Sequence, residues 1–379
     1  MNNYFLTCPR GLEEITANQI AKHIQNIPEI DFGGIQFKGN KIDMYKANLY
    51  SRTGMHVLKE LYSITINHQK DLYKKIYSLK WKEILSPNKK FAIKAKAKSI
   101  IIENTNYLTL KIKDAIVDNI RAEFKKTPSI DKSNPDIMLH VILRDNKLKI
   151  YIDSSGDPLF KRGYKNKIHK AALNESLASG IVLLSSWNRI EPLYDIMCGS
   201  GTIPIEAAMM AYNIPAGIFR KNFAFQKWDN YDKKEWDNIK INAQNNINLD
   251  KNIPIYGSDY FKKNIELAIQ SSKQINLYEK IKFESLDIKN FKVKEKNGVI
   301  IINPPYGNRI GDQKIINNLY KQIGDTFKTH CTGFDAYIFT GNLNAIKSIG
   351  LRSKKRIILK NGKIDCRLLY YPISSGKFK

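Results

Sequence analysis

From residue 193 onward the chain repeats one pattern: a short apolar run rich in β-branched residues, a break, then a longer amphipathic stretch. The runs are Leu193–Met197, Ile255–Ser258, Ile281–Leu286, Val299–Ile302 and Ala336–Thr340, followed by Arg356–Leu359 and Asp365–Tyr371. Strands this apolar must be covered on both faces, and helices alternating with them supply the cover. The pattern therefore predicts an α/β fold built on a doubly wound, mostly parallel sheet. The last two runs have no helix between them, which predicts a closing antiparallel hairpin. In such a sheet ligands lie across the C-terminal strand ends, so the residues directly behind each run are the ones to read for chemistry.

The first part of the chain has a different rhythm. Tyr4–Thr7 reads as a strand and Gly11–Ile24 as a helix, with Leu12, Ile15, Ile20 and Ile24 mostly on one face. Strands at Gly33–Phe37 and Gly54–Ile66 flank a helix at Asp43–Tyr50, and Phe91–Lys98 alternates strictly between apolar residues and lysines. A helix at Leu110–Phe124 precedes strands at Asp136–Leu143 and Leu148–Asp153. This is an α+β block. The turn-rich Ser154-Ser155-Gly156-Asp157-Pro158 marks a boundary, giving an expected division into 1–153, a linker 154–170, and 171–379 opening on a helix at Ala172–Ser186.

Charge narrows the partner. The chain carries 62 Lys+Arg against 36 Asp+Glu, a net +26, and an excess of this size favours a polyanion. No apolar run approaches membrane-spanning length and the N-terminus is not signal-like. Nucleic acid in the cytoplasm is thus expected, with no membrane and no obligate protein partner. Cys8, Cys198, Cys331 and Cys366 lie far apart with no Cys-x-x-Cys, so neither a disulfide framework nor a metal site is expected. His56, His140 and His169 show no partner pattern and read as core or surface residues.

Two motifs carry chemistry. Behind Val299–Ile302 stands Asn303-Pro304-Pro305-Tyr306. Its prolines hold a rigid, extended arc that presents an amide, free carbonyls and an aromatic face, a set suited to a nucleobase amine and its ring. Behind Leu193–Met197 the segment Asp195-Ile196-Met197-Cys198-Gly199-Ser200-Gly201-Thr202 turns through small residues into a helix at Thr202–Ala211. Its glycines let a ligand approach the backbone, and the helix start offers free N–H groups. It is not the Gly-x-Gly-x-x-Gly of nicotinamide binders. A carboxylate at the strand end, Asp195, would repel a pyrophosphate but welcome an amino-acid ammonium, which points to S-adenosylmethionine. Asp259 and Asp287 close the next two strands, placed for ribose hydroxyls and the adenine amine respectively. Either alone is an ordinary helix N-cap.

Basic residues with aromatics mark candidate RNA contacts. Phe219–Trp228 interleaves the two types, offering Arg220, Lys221, Phe223 and Trp228 for stacking and phosphate neutralisation. The aromatics could equally anchor the insertion on the sheet. Lys94, Lys96 and Lys98 form one face of their strand, as an RNA surface or as lysines guarding an open edge.

Taken together these residues make the chain resemble the bacterial 23S rRNA guanine-N2 methyltransferases of the RlmL type, with a THUMP domain ahead of the catalytic one. The matching stretches are Lys113–Asp118, Asp153–Asp157, Arg162-Gly163-Tyr164, Asp195–Thr202, Tyr256–Asp259, Asn303–Gly307 and Lys360-Asn361-Gly362. The chain departs in having Ile196 where the family usually has Pro, and Ala171-Ala172 where it usually has Ala-Pro. The resemblance implies a Rossmann-like class I methyltransferase domain preceded by a ferredoxin-like and THUMP region, the THUMP part about 43–153. It also implies N2-methylation of a guanosine in large-subunit rRNA, with Arg162 among the RNA-facing cations. Asn303 Oδ1 and the Pro304 carbonyl would accept the amine N–H bonds, and Tyr306 would stack on the base. With no second methyltransferase domain in view, one modification is expected. The motif also serves adenine N6 in DNA or guanosine in tRNA, and an RNA-binding ribosome-assembly factor is the reading from another class.

Overall fold

The computed structural model describes residues 1–165, 173–307 and 313–374. His169, Ala171 and Ala172, and with them the expected start of the second domain, lie outside the described residues.

The N-terminal half folds on one mixed sheet. Its strands are β1 (Asn2–Thr7), β2 (Glu29–Asp31), β3 (Gly34–Gly39), β4 (His56–Thr65), β5 (Lys90–Lys98), β6 (Ser129–Ile130), β7 (Ile137–Arg144) and β8 (Lys147–Asp153), in the spatial order β2-β3-β1-β4-β8-β7-β5-β6. Strand β4 joins two groups of strands, pairing with β1 on one side and β8 on the other, with a bulge between Glu60 and Tyr62. One face is covered by α1 (Glu13–Ile20), α2 (Lys41–Tyr50), α3 (Asp71–Tyr77) and α4 (Thr105–Phe124). Cap chemistry explains several boundaries that periodicity misplaces. Helix α4 starts five residues before the expected Leu110 because the Asn104 side chain accepts from the N–H groups of Asn106 and Tyr107. Helix α1 is shorter than the expected Gly11–Ile24, yet Ile24 is still buried beyond its end.

The second half carries β9 (Leu193–Asp195), β10 (Ile255–Asp259), β11 (Lys282–Ser285), β12 (Gly298–Ile302), β13 (Phe334–Thr340), β14 (Lys355–Asn361) and β15 (Ile364–Pro372), in the order β11-β10-β9-β12-β13-β15-β14. Strands β9 to β13 pair in parallel, and β15 runs antiparallel to both β13 and β14. The doubly wound sheet and its closing hairpin are thus as the pattern predicts. Around it stand α5 (Glu175–Leu184), α6 (Thr202–Ala211), α7 (Lys233–Asn245), α8 (Lys262–Lys273) and α9 (Gln313–His330). Every residue of β12 is buried. The strand order reverses between β9 and β12, which leaves a crevice at their C-terminal ends.

The two halves share a polar, largely buried seam. Ser176 Oγ donates to Gly54 O at 2.8 Å, and Asn48 Nδ2 donates to Ser154 Oγ of the connecting segment at 2.9 Å. Arg52 reaches across to the carbonyls of Ile214 (2.7 Å) and Met209 (3.3 Å). The segment after Asp153 is no loose linker, since Leu159, Arg162 and Tyr164 are all buried.

Candidate active site

The loop after β9 and the arc after β12 face each other across the sheet's switch point and line one cavity of about 1230 Å³. This exceeds the roughly 300–1,000 Å³ of ordinary small-molecule sites, leaving room for two ligands. Its wall contains Asp195, Met197, Cys198, Gly199, Ser200, Thr202, Asp259, Asp287, Asn303, Pro304 and Tyr306, so nearly all the proposed cofactor and catalytic residues are brought together.

Asp195 ends β9 and is 2% exposed. Its Oδ1 accepts from Met197 N–H at 3.2 Å. Burial, with the charge of Asp259 nearby, pushes its carboxyl well above the usual range. A carboxylate so placed gains most from an incoming cation. Asp259 is a fastener as well as a candidate ligand. Its Oδ2 accepts from Gly199 N–H at 2.9 Å, and its Oδ1 accepts from Phe261 N–H (3.0 Å) and Asn264 Nδ2 (2.9 Å). Only Oδ2 keeps a lone pair free for a hydroxyl donor. Asp287 caps a short turn, its Oδ1 accepting from Lys289 N–H at 3.0 Å, and the residue lines the cavity.

The two glycines of the loop do different work. Gly199 has φ +54° and nothing within 4 Å of where a Cβ would stand, so it is the open side of the cradle. Gly201, with φ +78°, is absent from the cavity wall. A Cβ there would meet the Ala268 side chain at 2.8 Å and the Phe283 ring at 3.2 Å. The expectation that it admits a ligand is corrected: it admits α8 and β11 against the loop.

At the arc, Tyr306 Oη donates to Asn303 Oδ1 at 2.9 Å. The ring is half-buried against Gly341, and the Tyr306 carbonyl accepts from Asn342 Nδ2 at 2.7 Å. From below, Tyr320 Oη bonds Thr340 Oγ1 at 2.6 Å and reaches the Pro305 carbonyl at 3.5 Å. Gly341 backs one side of the ring, and Tyr306 still lines the cavity. Its hydroxyl orients the Asn303 amide with Oδ1 as acceptor, and burial raises its own ionisation far out of reach.

The basic and aromatic candidates divide sharply. Lys94, Lys96, Lys98 and Lys221 are exposed. Among the described residues, the outer side of β5 has no partner strand beyond Phe91, because β6 pairs only with Lys90 and Phe91. Arg162 is a correction: it is 1% exposed, with Nε 3.4 Å from Glu206 Oε1 and Nη1 donating to Leu159 O at 2.8 Å. Arg220 is another, since its guanidinium donates to the carbonyls of Pro158, Lys161, Ser155 and Asp157 and covers the Phe223 ring. Phe223 itself stacks on Phe225 (centroids 5.3 Å apart) and meets Trp236 edge-on, within a cluster that includes Tyr45 of α2. Trp228 packs half-buried between the same cluster and the core under β5. Phe223 is thus buried in the seam, and Trp228 is half-buried there.

Tyr260 and Phe261, 66% and 63% exposed, line the cavity beside Asp259 and went unnoticed in the sequence. Two large aromatics directly behind a strand-end carboxylate were the available signal.

Comparison with known proteins follows the same lines. The profile of the RMKL-like methyltransferase domain matches residues 162–370, that of the THUMP domain 67–153, and that of the RlmL ferredoxin-like domain 3–58. A Synechocystis protein provisionally named an RNA methyltransferase is 34% identical over 370 residues, covering 98% of this chain and 96% of that one. The ribosomal RNA large subunit methyltransferase K/L of Psychromonas ingrahamii is 36% identical over 380 residues. That match covers 99% of this chain but 50% of the relative, so the chain spans about half of that protein. Among solved structures, a methyltransferase crystallised with S-adenosylhomocysteine superposes with a TM-score of 0.88 at 28% identity, covering 99% of each chain. A possible methylase from Clostridium difficile gives 0.90 at 28% identity over 100% of each chain. A predicted N6-adenine-specific DNA methylase from Listeria monocytogenes gives 0.86 at 27%, covering 98% of this chain and 96% of that one. The crevice at the switch point, the matched catalytic and THUMP regions and full-length relatives agree: the chain belongs to the RMKL-like methyltransferase family and is an S-adenosylmethionine-dependent RNA methyltransferase.

Proposed function

We propose that this enzyme methylates the exocyclic N2 of a guanosine in the RNA of the large ribosomal subunit. The observation that carries the reading is the placement of Asn303 and Pro304 in the same cavity as the Asp195 loop. The name of the Psychromonas relative supports ribosomal RNA as substrate, and the THUMP match favours RNA over the DNA named for the Listeria structure.

The donor fits the residues present: Asp195 for the ammonium, Asp259 Oδ2 for ribose hydroxyls, the free oxygen of Asp287 for the adenine amine, and Gly199 for close approach. When bound it supplies an activated methyl on a sulfonium. The chain's own task is alignment. A guanine amine is weakly nucleophilic because its lone pair conjugates with the ring. Two acceptors, Asn303 Oδ1 and Pro304 O, hold its N–H bonds and favour the pyramidal, nucleophilic form. Productive entry of the base exchanges the Tyr306–Asn303 hydrogen bond for one from the amine. The base itself must be splayed from its helix to reach so recessed an acceptor.

Nucleoside mapping of RNA from a deletion strain tests the assignment. One N2-methylguanosine should vanish from 23S rRNA and return with the wild-type gene. Loss of an N6-methyladenine or of a tRNA methylguanosine instead would overturn it.

Asp195 predicts a pH signature. Burial raises its carboxyl in the free enzyme, while an ammonium partner requires the ionised form. Affinity for S-adenosylmethionine should therefore rise as pH increases through the raised value. In Asp195→Asn the affinity should fall at least about tenfold, a loss of roughly 1.4 kcal/mol or more, and the pH dependence should disappear. Calorimetric titration across pH checks both.

A further inference from the structure

Three residues that the methyl transfer does not use meet on the N-terminal sheet. His56 opens β4, His140 lies in β7, and Asp153 ends β8, the strand between them. His56 Nδ1 is 2.8 Å from Asp153 Oδ2, and His140 Nε2 is 3.3 Å from the same oxygen. All three atoms lie within 4.8 Å of one another. The other oxygen, Oδ1, accepts from Ser155 N–H at 2.8 Å and Gly156 N–H at 3.3 Å. Those bonds fix the carboxylate plane and turn Oδ2 toward the two imidazoles. The Asp153 side chain is 1% exposed, while His56 and His140 keep 16% and 15%, so the pair of rings borders solvent.

We propose that His56, His140 and Asp153 form a binding site for a divalent first-row transition metal ion, with zinc the expected occupant. Two imidazoles and a carboxylate are borderline donors that suit this class of ion. With metal–ligand bonds of about 2.0–2.2 Å, ligand atoms in a tetrahedral site stand roughly 3.3 Å apart. The observed 2.8 and 3.3 Å need only a small outward shift to admit the ion. The solvent side supplies the fourth position with water. Backbone bonds to the far carboxylate oxygen are the kind of support that orients metal ligands.

The location gives the ion a task. His56 falls in the stretch matched to the ferredoxin-like domain, and His140 and Asp153 in the THUMP match. Asp153 is also the last residue before the segment that leads to the catalytic half. A metal here ties both N-terminal regions and the start of that segment to one point. Without metal, the same three residues are two imidazole–carboxylate hydrogen bonds and nothing more.

The full-length chain, stripped with chelator, is titrated with zinc by calorimetry and with cobalt by visible absorption. One equivalent should bind, the cobalt form should show tetrahedral d–d bands, and zinc should raise Tm. His56→Gln and His140→Gln keep a neutral hydrogen-bonding side chain beside Asp153, and unchanged S-adenosylmethionine binding shows that they fold. Weakening a ligand's partner already costs roughly 10- to 100-fold in metal affinity, so removing a ligand should cost more and should abolish the zinc-dependent rise in Tm. Absence of saturable zinc binding overturns the proposal. Wild-type zinc affinity in both glutamine variants also overturns it, since the ion would then sit elsewhere.

Discussion

Replacing Asn303 by alanine should reduce methyl transfer by at least about a thousandfold while leaving S-adenosylmethionine affinity within a few-fold of wild type. Oriented hydrogen-bonding groups at a reacting centre are worth roughly 10²–10³ in kcat each, and Asn303 supplies orientation as well as polarity. The Asn303 amide is held by Tyr306 Oη on one side and by its place at the end of a fully buried strand on the other. Truncation therefore removes the acceptor without disturbing the strand. The residues proposed to hold the cofactor, Asp195, Asp259 and Asp287, all lie on other loops. Single-turnover methylation with calorimetry on the same preparation separates the two quantities. A variant with near-normal turnover would remove Asn303 from the chemistry, and a parallel collapse of cofactor binding would make it a cofactor residue instead.

The second large effect concerns stability. Arg162→Met should destabilise the protein by about 3–5 kcal/mol, the usual cost of leaving one partner of a buried ion pair alone. Glu206 is 0% exposed, in the helix that follows the cofactor loop. It accepts from Tyr164 Oη at 2.9 Å and from Ser179 Oγ, with the Arg162 Nε 3.4 Å away. The remaining guanidinium donors bond Leu159 O, Ser51 O and Arg52 O, so one side chain gathers the linker, the end of α2 and α6. Removing it strands a carboxylate in the interior and frees three carbonyls. For a domain of 150–250 residues each kcal/mol shifts Tm by roughly 2–4 °C, so a fall of about 10 °C is expected by differential scanning fluorimetry. Pairing it with Glu206→Gln should recover part of the loss, because the orphaned charge goes with it. An unchanged Tm in Arg162→Met would show that the pair is dispensable.

The catalytic half was the legible part of this sequence. Its strands are short and well separated, and fully buried ones such as β12 follow from apolar runs that need cover on both faces. The residues behind Leu193–Met197 and Val299–Ile302 then fall together for topological reasons. What stayed hidden was set by long-range contact. Arg162, Arg220 and Phe223 look like an RNA surface because cations and aromatics are what such a surface needs. The same side chains suit a buried seam, where a guanidinium caps loop carbonyls and rings pack edge to face. Local sequence does not distinguish the two. The meeting of His56, His140 and Asp153 depends on β8 pairing with both β4 and β7, a register no local pattern encodes. Nor does local sequence reveal that the Tyr306 hydroxyl bonds Asn303 Oδ1, with Gly341 against the ring and Asn342 on the Tyr306 carbonyl.

The single sheet that runs through both N-terminal regions bears on how the gene can be divided. Profile boundaries at 58 and 67 invite a cut between two modules, yet β4 crosses that interval and hydrogen-bonds to strands on each side. A protein begun at residue 67 would present β8 with no neighbour along one margin, baring Tyr151 and Ile152 beside a row of unpaired amides. Such a margin templates strand addition from other molecules. The evolutionary unit and the smallest soluble unit are therefore different lengths of chain, and the heritable modules share one indivisible hydrogen-bonded fabric.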